Sequence, residues 1–110
     1  MRYGHGEYAL IFKALSDETR LKILTMLTKG TTCACNILEE FNFTQPTLSY
    51  HMKQLTDSGL VNAKKDGKWV HYSVNKERVE LLRRFITEIN GIGNAADCCG
   101  VKKLKKHFEK

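Results

Sequence analysis

A mainly α fold carrying one β-hairpin (α+β) is what this sequence predicts, and three observations predict it. Apolar residues recur at helical spacing along most of the chain. The period switches to strand-like alternation only on either side of Asp66-Gly67, and two short helical stretches meet at the brief connection Asn42-Phe43. Two short helices joined by so brief a turn describe a helix-turn-helix, and a hairpin directly after them makes it winged.

Taking the elements in order, Tyr8, Ile11, Phe12 and Leu15 give one apolar stripe over a first short helix. Ser16 is the expected N-cap of the second helix, followed by Asp17 and Glu18, whose charges suit the positive end of a helix dipole. Leu21, Ile23, Leu24 and Leu27 should point inward, and Lys29-Gly30 should stop the helix. Thr31 and Thr32 lead into a third helix whose buried side is Ala34, Ile37, Leu38 and Phe41.

The fourth helix carries the most information. Thr44 caps its start, Pro46 falls in the first turn where a missing N–H costs nothing, and Leu48, Met52 and Leu55 form the inward stripe. At about 100° per residue the opposite face presents Pro46, Ser49, Tyr50 and Lys53, with Gln45 at its N-terminal edge. Short polar side chains, one aromatic and a single charge suit a major groove better than they suit bulk water. Asp57-Ser58-Gly59 ends the helix.

The strand-like runs LVNAKK and KWVHYSV then flank Asp66-Gly67, a strong hairpin signal, with Val70, Tyr72 and Val74 on one face. Lys64, Lys65 and Lys68 crowd the hairpin tip, where they can lie against a phosphate backbone. Past Asn75 the helical period returns: Val79, Leu82, Ile86 and Ile89 form a seam suited to a homodimer interface together with the first helix. A dimer reads two half-sites of double-stranded DNA, which one unit positions poorly.

The sequence has 110 residues and a net charge of +6, but the charges of residues 1–43 cancel and the largest excess sits in the last ten residues. The middle of the chain is only modestly basic, so the DNA argument rests on pattern. Residues 1–90 are expected to form one DNA-binding and dimerisation domain, and residues 91–110 a basic tail containing glycine and cysteine. No signal peptide or membrane span fits the short apolar run Ala9–Phe12, so a cytoplasmic location is expected. Four cysteines, Cys33, Cys35, Cys98 and Cys99, then argue for metal or redox chemistry over a disulfide framework. His51 and His71 read as groove-side or structural residues rather than ligands.

Four separated motifs carry a resemblance: LSDETRLKIL at 15–24, CAC at 33–35, TQPTLSYHMKQL at 44–55 and KKDGKWVHYSV at 64–74. Together they resemble the ArsR/SmtB family of metal-responsive repressors, most of all its arsenite-responsive branch. The resemblance implies a dimeric winged helix-turn-helix repressor that leaves its operator when a toxic metal or metalloid binds. It makes Gln45, Ser49 and Tyr50 the base or phosphate contacts, with Pro46 and Thr47 adjacent, and makes Cys33 and Cys35 metal ligands. The family's third thiol position is Leu38 here, so Cys98 or Cys99 is the candidate third donor. Its zinc site on the C-terminal helix needs Asp and His, and residues 76–90 contain neither.

Soft thiolates favour As(III) or Sb(III) as the effector, with Cd(II) or Pb(II), or an oxidant, as the alternatives. A thiol enzyme or metal carrier finds no supporting pattern, since no CxxC accompanies a βαβ unit. One mechanical expectation follows from treating 33–35 as helix. Residues i and i+2 lie about 200° apart, so chelation by both sulfurs should unwind a turn.

Overall fold

Each of the five helices starts on a different acceptor, and those caps fix the chain's course. The computed structural model describes residues 4–91. Its elements are α1 (His5–Leu15), α2 (Glu18–Leu27), β1 (Thr32–Cys33), α3 (Ala34–Phe41), α4 (Gln45–Asp57), β2 (Val61–Asp66), β3 (Trp69–Val74) and α5 (Lys76–Asn90). The Gly4 N–H donates to the Glu7 carboxylate at the start of α1. Asp17, not Ser16, caps α2: its carboxylate accepts from the Arg20 N–H at 3.0 Å, while Ser16 closes α1 by donating to the Lys13 carbonyl. A carboxylate in extended conformation beside the helix is the stronger acceptor for a free N–H. Thr44 caps α4 through the Thr47 N–H, with Pro46 in the first turn as expected, and Asn75 caps α5 through the Arg78 N–H.

The helix-turn-helix is α3 and α4 joined by Asn42, Phe43 and Thr44. Asn42 takes a left-handed conformation, φ 57°, which Asn tolerates better than most residues and which turns the chain sharply enough for so short a connection. The wing is β2 and β3, closed by the two-residue loop Gly67-Lys68 rather than Asp66-Gly67; Asp66 is the last residue of its strand. Gly67 has φ 65°, as the first central position of a type II′ turn requires.

The sequence reading has no counterpart for β1. Thr32 and Cys33 pair antiparallel with β3, Thr32 opposite Tyr72 and Cys33 opposite His71, so the wing becomes a three-stranded sheet in the order β1-β3-β2. The core is Ile11, Ala14, Ile23, Leu27, Ile37, Leu48, Met52, Leu55, Leu60 and Val61, each nearly or fully buried. Leu48, Met52 and Leu55 are the stripe that periodicity assigns to α4. On α2 the stripe is rotated: Leu21 is 46% exposed and Arg20 only 6%. On α3, Ala34 and Ile37 are buried, whereas Leu38 and Phe41 are covered only in part.

The chain divides into two compact units, Met1–Val79 and Glu80–Lys110. Of the second, residues 80–91 are described; there Glu80 pairs with Arg83 at 2.6 Å and with Arg84 at 3.6 Å, and Ile86 and Ile89 are 50% and 67% exposed. Among the described residues no helix is long and apolar enough to cross a membrane.

Truncation of Leu55, which is fully buried, to Ala should cost about 2–5 kcal/mol in urea unfolding. Gly59→Ala should be more harmful than Gly67→Ala although both have positive φ, because only at Gly59 would the new Cβ meet another group, 2.6 Å from Arg78 Cζ, and the guanidinium it would displace donates to the Ser58 carbonyl. A loss above about 1 kcal/mol at Gly59, and a smaller one at Gly67, is the expected unfolding result.

Candidate functional site

Gln45, Pro46, Thr47, Ser49, Tyr50 and Lys53 are all exposed on α4, so the face read from the sequence is free of the core. Thr47 is partly engaged, its hydroxyl 3.0 Å from that of Thr44. Lys53 pairs with Asp57 at 3.2 Å, one turn on. Such an exposed pair is worth little, and a phosphate can displace the carboxylate at small cost. Tyr50 is 57% exposed, yet its ring is not loose: the Arg20 guanidinium lies 5.8 Å from its centroid and the His51 ring packs edge-on at 5.4 Å.

Arg20 is the residue that sequence reasoning missed. Its Nε donates to the Ala14 carbonyl at 2.8 Å, and its Nη1 lies 3.1 Å from His51 Nδ1. A guanidinium only donates, so Nδ1 is the acceptor. Asp17, the α2 cap, lies 3.9 Å from the same imidazole nitrogen. One buried cation thus ties the end of α1 and the first turn of α2 to the middle of α4. The signal was present, because Arg20, Ile23 and Leu27 are spaced i, i+3, i+7. A charge inside an apolar stripe asks for partners. His51, read as groove-side or structural, has Phe43 tilted against it at 5.6 Å, while Phe41 stacks on Phe43 at 5.2 Å. An aromatic ladder therefore runs from the end of α3 to the face of α4.

The wing lysines do not form one patch. Lys64, Lys65 and Lys68 are all exposed near the tip, but alternation sends Lys64 to the face of His71 and Lys65 to the face of Val70 and Tyr72. Ala63 and Tyr72 line a groove with Ser49, Lys53 and Thr56 of α4, so Lys65 lies on the side of the α4 face. Burial raises the Tyr72 phenol above the usual tyrosine range.

The thiols correct the sequence reading most. Cys33 is not in a helix: it ends β1 and caps α3 in extended conformation, φ −73° and ψ 143°. Its sulfur accepts the Cys35 N–H at 3.3 Å. Interaction with the Cys35 side chain holds Cys33 below the usual thiol range, reinforced by the backbone N–H groups of Cys35 and Asn36 against the cost of burial, while the Cys35 thiol lies 3.9 Å from the Asn36 side-chain oxygen. The same interaction, followed by desolvation and repulsion from Cys33, raises Cys35. The helical angle expected between the two sulfurs does not apply, because Cys33 is an extended cap residue and not part of the helix. Two thiols on this short joint offer two soft donors to a thiophilic centre. Among the described residues no group of three His, Cys, Asp or Glu side chains is assembled to hold a metal ion. Cys98 and Cys99, the expected further donors, lie outside the described residues.

Comparison with known proteins bears on the family and the fold. Residues 17–63 match the family model described as bacterial regulatory protein, arsR family. An arsenical resistance operon repressor of Staphylococcus xylosus is 42% identical over 99 residues, spanning 90% of this chain and 95% of that protein. Its namesake from Staphylococcus aureus is 43% identical over 102 residues, spanning 93% and 95%. The solved ArsR-like transcriptional regulator from Rhodococcus sp. RHA1 superposes with a TM-score of 0.73 at 26% identity, covering 94% of each chain.

The polarity of the thiol pair is testable by alkylation. Near neutral pH the lowered Cys33 holds more thiolate than the raised Cys35, so iodoacetamide should mark Cys33 first in peptide mass mapping. Cys35→Ala removes the side-chain interaction that lowers Cys33 and should move the pH midpoint of Cys33 alkylation upward. Faster labelling of Cys35 would reverse the assignment.

Proposed function

The chain belongs to the arsR family of bacterial regulatory proteins, and from that premise we propose that it represses an arsenical-resistance operon and is released by As(III) or Sb(III) bound at cysteine thiolates. In this reading a homodimer holds double-stranded operator DNA. Gln45, Ser49 and Tyr50 contact base edges or phosphates, Pro46 and Thr47 pack beside them, and Lys53, Lys64, Lys65 and Lys68 contact phosphates. Exposed apolar side chains support the dimer: Leu10 on α1, and Val79, Ile86 and Ile89 on α5.

The observation that carries the reading is the adjacency of Cys33 and Cys35 at the start of the helix that leads into α4. As(III) takes three sulfurs, and Cys98 or Cys99 is proposed as the third. Capture turns the Cys33 lone pairs from the Cys35 N–H to the ion, so α3 loses its cap, at about 1 kcal/mol. A third sulfur arriving from outside then draws on the β1–α3 joint. Phe41, Phe43 and His51 carry a displacement of α3 to the face of α4. Ion binding and DNA binding thereby oppose each other, as negative coupling between two sites requires. The Cys33 sulfur, 3.3 Å from the Cys35 N–H, also favours a second reading, in which an oxidant joins Cys33 to Cys35; only that release would be reversed by a reductant alone.

Fluorescence anisotropy on an operator fragment tests the reading. Saturating arsenite should weaken binding by about 5–150-fold, and Cys33→Ser or Cys35→Ser should abolish that response while leaving metal-free affinity nearly intact. Full affinity under arsenite would reject it. Separately, Lys64→Ala with Lys65→Ala should weaken binding to all sequences alike and reduce the slope of log affinity against log salt by up to about 2. An unchanged slope would place the wing tip away from phosphate.

A further inference from the structure

Tyr72 brings a hydroxyl to the gap between the wing sheet and α4. It sits on β3, the central strand, and is held from both sides, opposite Thr32 of β1 and Ala63 of β2. Its neighbour Ala63 has only a methyl group, and the space this leaves is a groove of about 270 Å³ whose far wall is Ser49, Lys53, Thr56 and Asp57 of α4. Among the described residues neither the Tyr72 nor the Ser49 hydroxyl makes a hydrogen bond. Burial keeps the phenol above the usual tyrosine range, so near neutral pH it holds its proton and is a donor. Lys53 is the third donor, and its exposed ammonium is drawn along the helix to the Asp57 carboxylate at 3.2 Å. Two open hydroxyls and an ammonium on one groove make a cradle for an anion, with one carboxylate at its edge.

We propose that this groove seats a phosphate of the DNA backbone, with Tyr72 as a donor to it and Asp57 as a brake on its entry. The site rests on the operator-binding reading for Ser49 and Lys53, and adds to that reading a contact from the sheet and a residue that opposes binding. Duplex shape says why a phosphate comes here. Each strand's backbone is a ridge dividing the wide groove from the narrow one. A helix lying in the wide groove with a wing beside it has that ridge between the two, and in this chain the space between α4 and β3 is the one that Tyr72 and Ser49 line. Hydroxyls and ammonium groups are the usual donors to phosphate, and such contacts fix register without reading sequence. An entering phosphate takes the Lys53 ammonium from Asp57, and the carboxylate left beside it repels the new charge. Asp57 thereby lowers affinity for every duplex alike, while the Tyr72 hydroxyl, carried by a strand paired on both edges, sets the distance between wing and backbone.

Fluorescence anisotropy of the full-length chain on the operator fragment and on a non-operator duplex of equal length tests the site. Tyr72→Phe, which keeps the ring, should weaken both by about three- to tenfold and leave the slope of log affinity against log salt unchanged, because a neutral donor releases no counterion. Lys53→Ala should lower that slope by about 1. Asp57→Asn should strengthen binding to both duplexes about two- to fivefold, more at low salt than at high. Asp57 ends α4, where a carboxylate opposes the helix dipole, so this variant should keep the fold. Phosphate ethylation interference gives the readout that a purely structural tyrosine would not move: one phosphate in each half-site whose ethylation blocks the parent should lose that effect in Tyr72→Phe, with the other sites unchanged. Unchanged affinity or an unchanged ethylation pattern in Tyr72→Phe, or weaker binding in Asp57→Asn, would each overturn the proposal. A parent chain that binds neither duplex would sink the operator-binding reading and this site with it, whereas a parent that binds and is indifferent to Tyr72 sinks this site alone.

Discussion

Cys33 is the residue on which the rest of the structure turns, because one side chain and one peptide unit are asked to do three things. Its main chain closes β1 against β3, its sulfur caps α3, and the same sulfur is biased toward the thiolate by the Cys35 side chain. A serine or aspartate in that place would cap the helix better. The sulfur is a poorer hydrogen-bond acceptor and a far better ligand for soft ions, so a cap made of sulfur is one that a thiophile can take away. In the proposed reading, function and local stability meet on the same lone pairs.

How α4 is held decides what such a loss can do. The inward stripe of α4 is buried in the core, which fixes the helix axis, but two sets of contacts fix its rotation. Arg20 grips His51 and Tyr50 from the α1–α2 corner, and Phe43 packs tilted against His51 from the α3 side. The Arg20 corner rests on the Ala14 carbonyl and the Asp17 cap, neither of which involves the thiols. The Phe43 contact belongs to the connection that α3 feeds directly. The first is therefore an anchor and the second is where movement of α3 arrives.

Most of this was legible in the sequence where the pattern is periodic or the turn chemistry is local. Leu48, Met52 and Leu55 repeat over a whole helix, Thr44 and Pro46 announce its start, and Asp66-Gly67 locates the wing to within one residue. What was not legible has particular causes. A strand of two residues has no period, and β1 exists only because Tyr72 and His71, far along the chain, offer it an edge. Ser16 and Asp17 are both good caps, and only the chain's path chooses between them. The thiol geometry was misjudged because a helical angle was applied to a residue whose backbone is extended. Arg20 was visible as a charge at an apolar position, and its meaning depended on His51, which nothing local connects to it.

Magnitudes separate the routes from the thiols to the DNA face. Losing a helix cap is worth about 1 kcal/mol, roughly a fivefold change in an equilibrium. Useful coupling between an effector and an operator spans about 1–3 kcal/mol. Loss of the cap alone thus reaches only the lower end of that range, even if α4 felt all of it, and a capping bond is softened further by water at a partly exposed helix start. The remainder has to come from moving backbone, and the thiol pair has backbone in two directions: forward along α3 to Phe41 and Phe43, and sideways across the β1–β3 ladder into the wing. A thiol placed in mid-helix would act on α3 alone. In the proposed reading, the same sulfur placed at the strand–helix joint acts on both α4 and the wing, and two modest displacements can sum to a coupling that neither supplies alone.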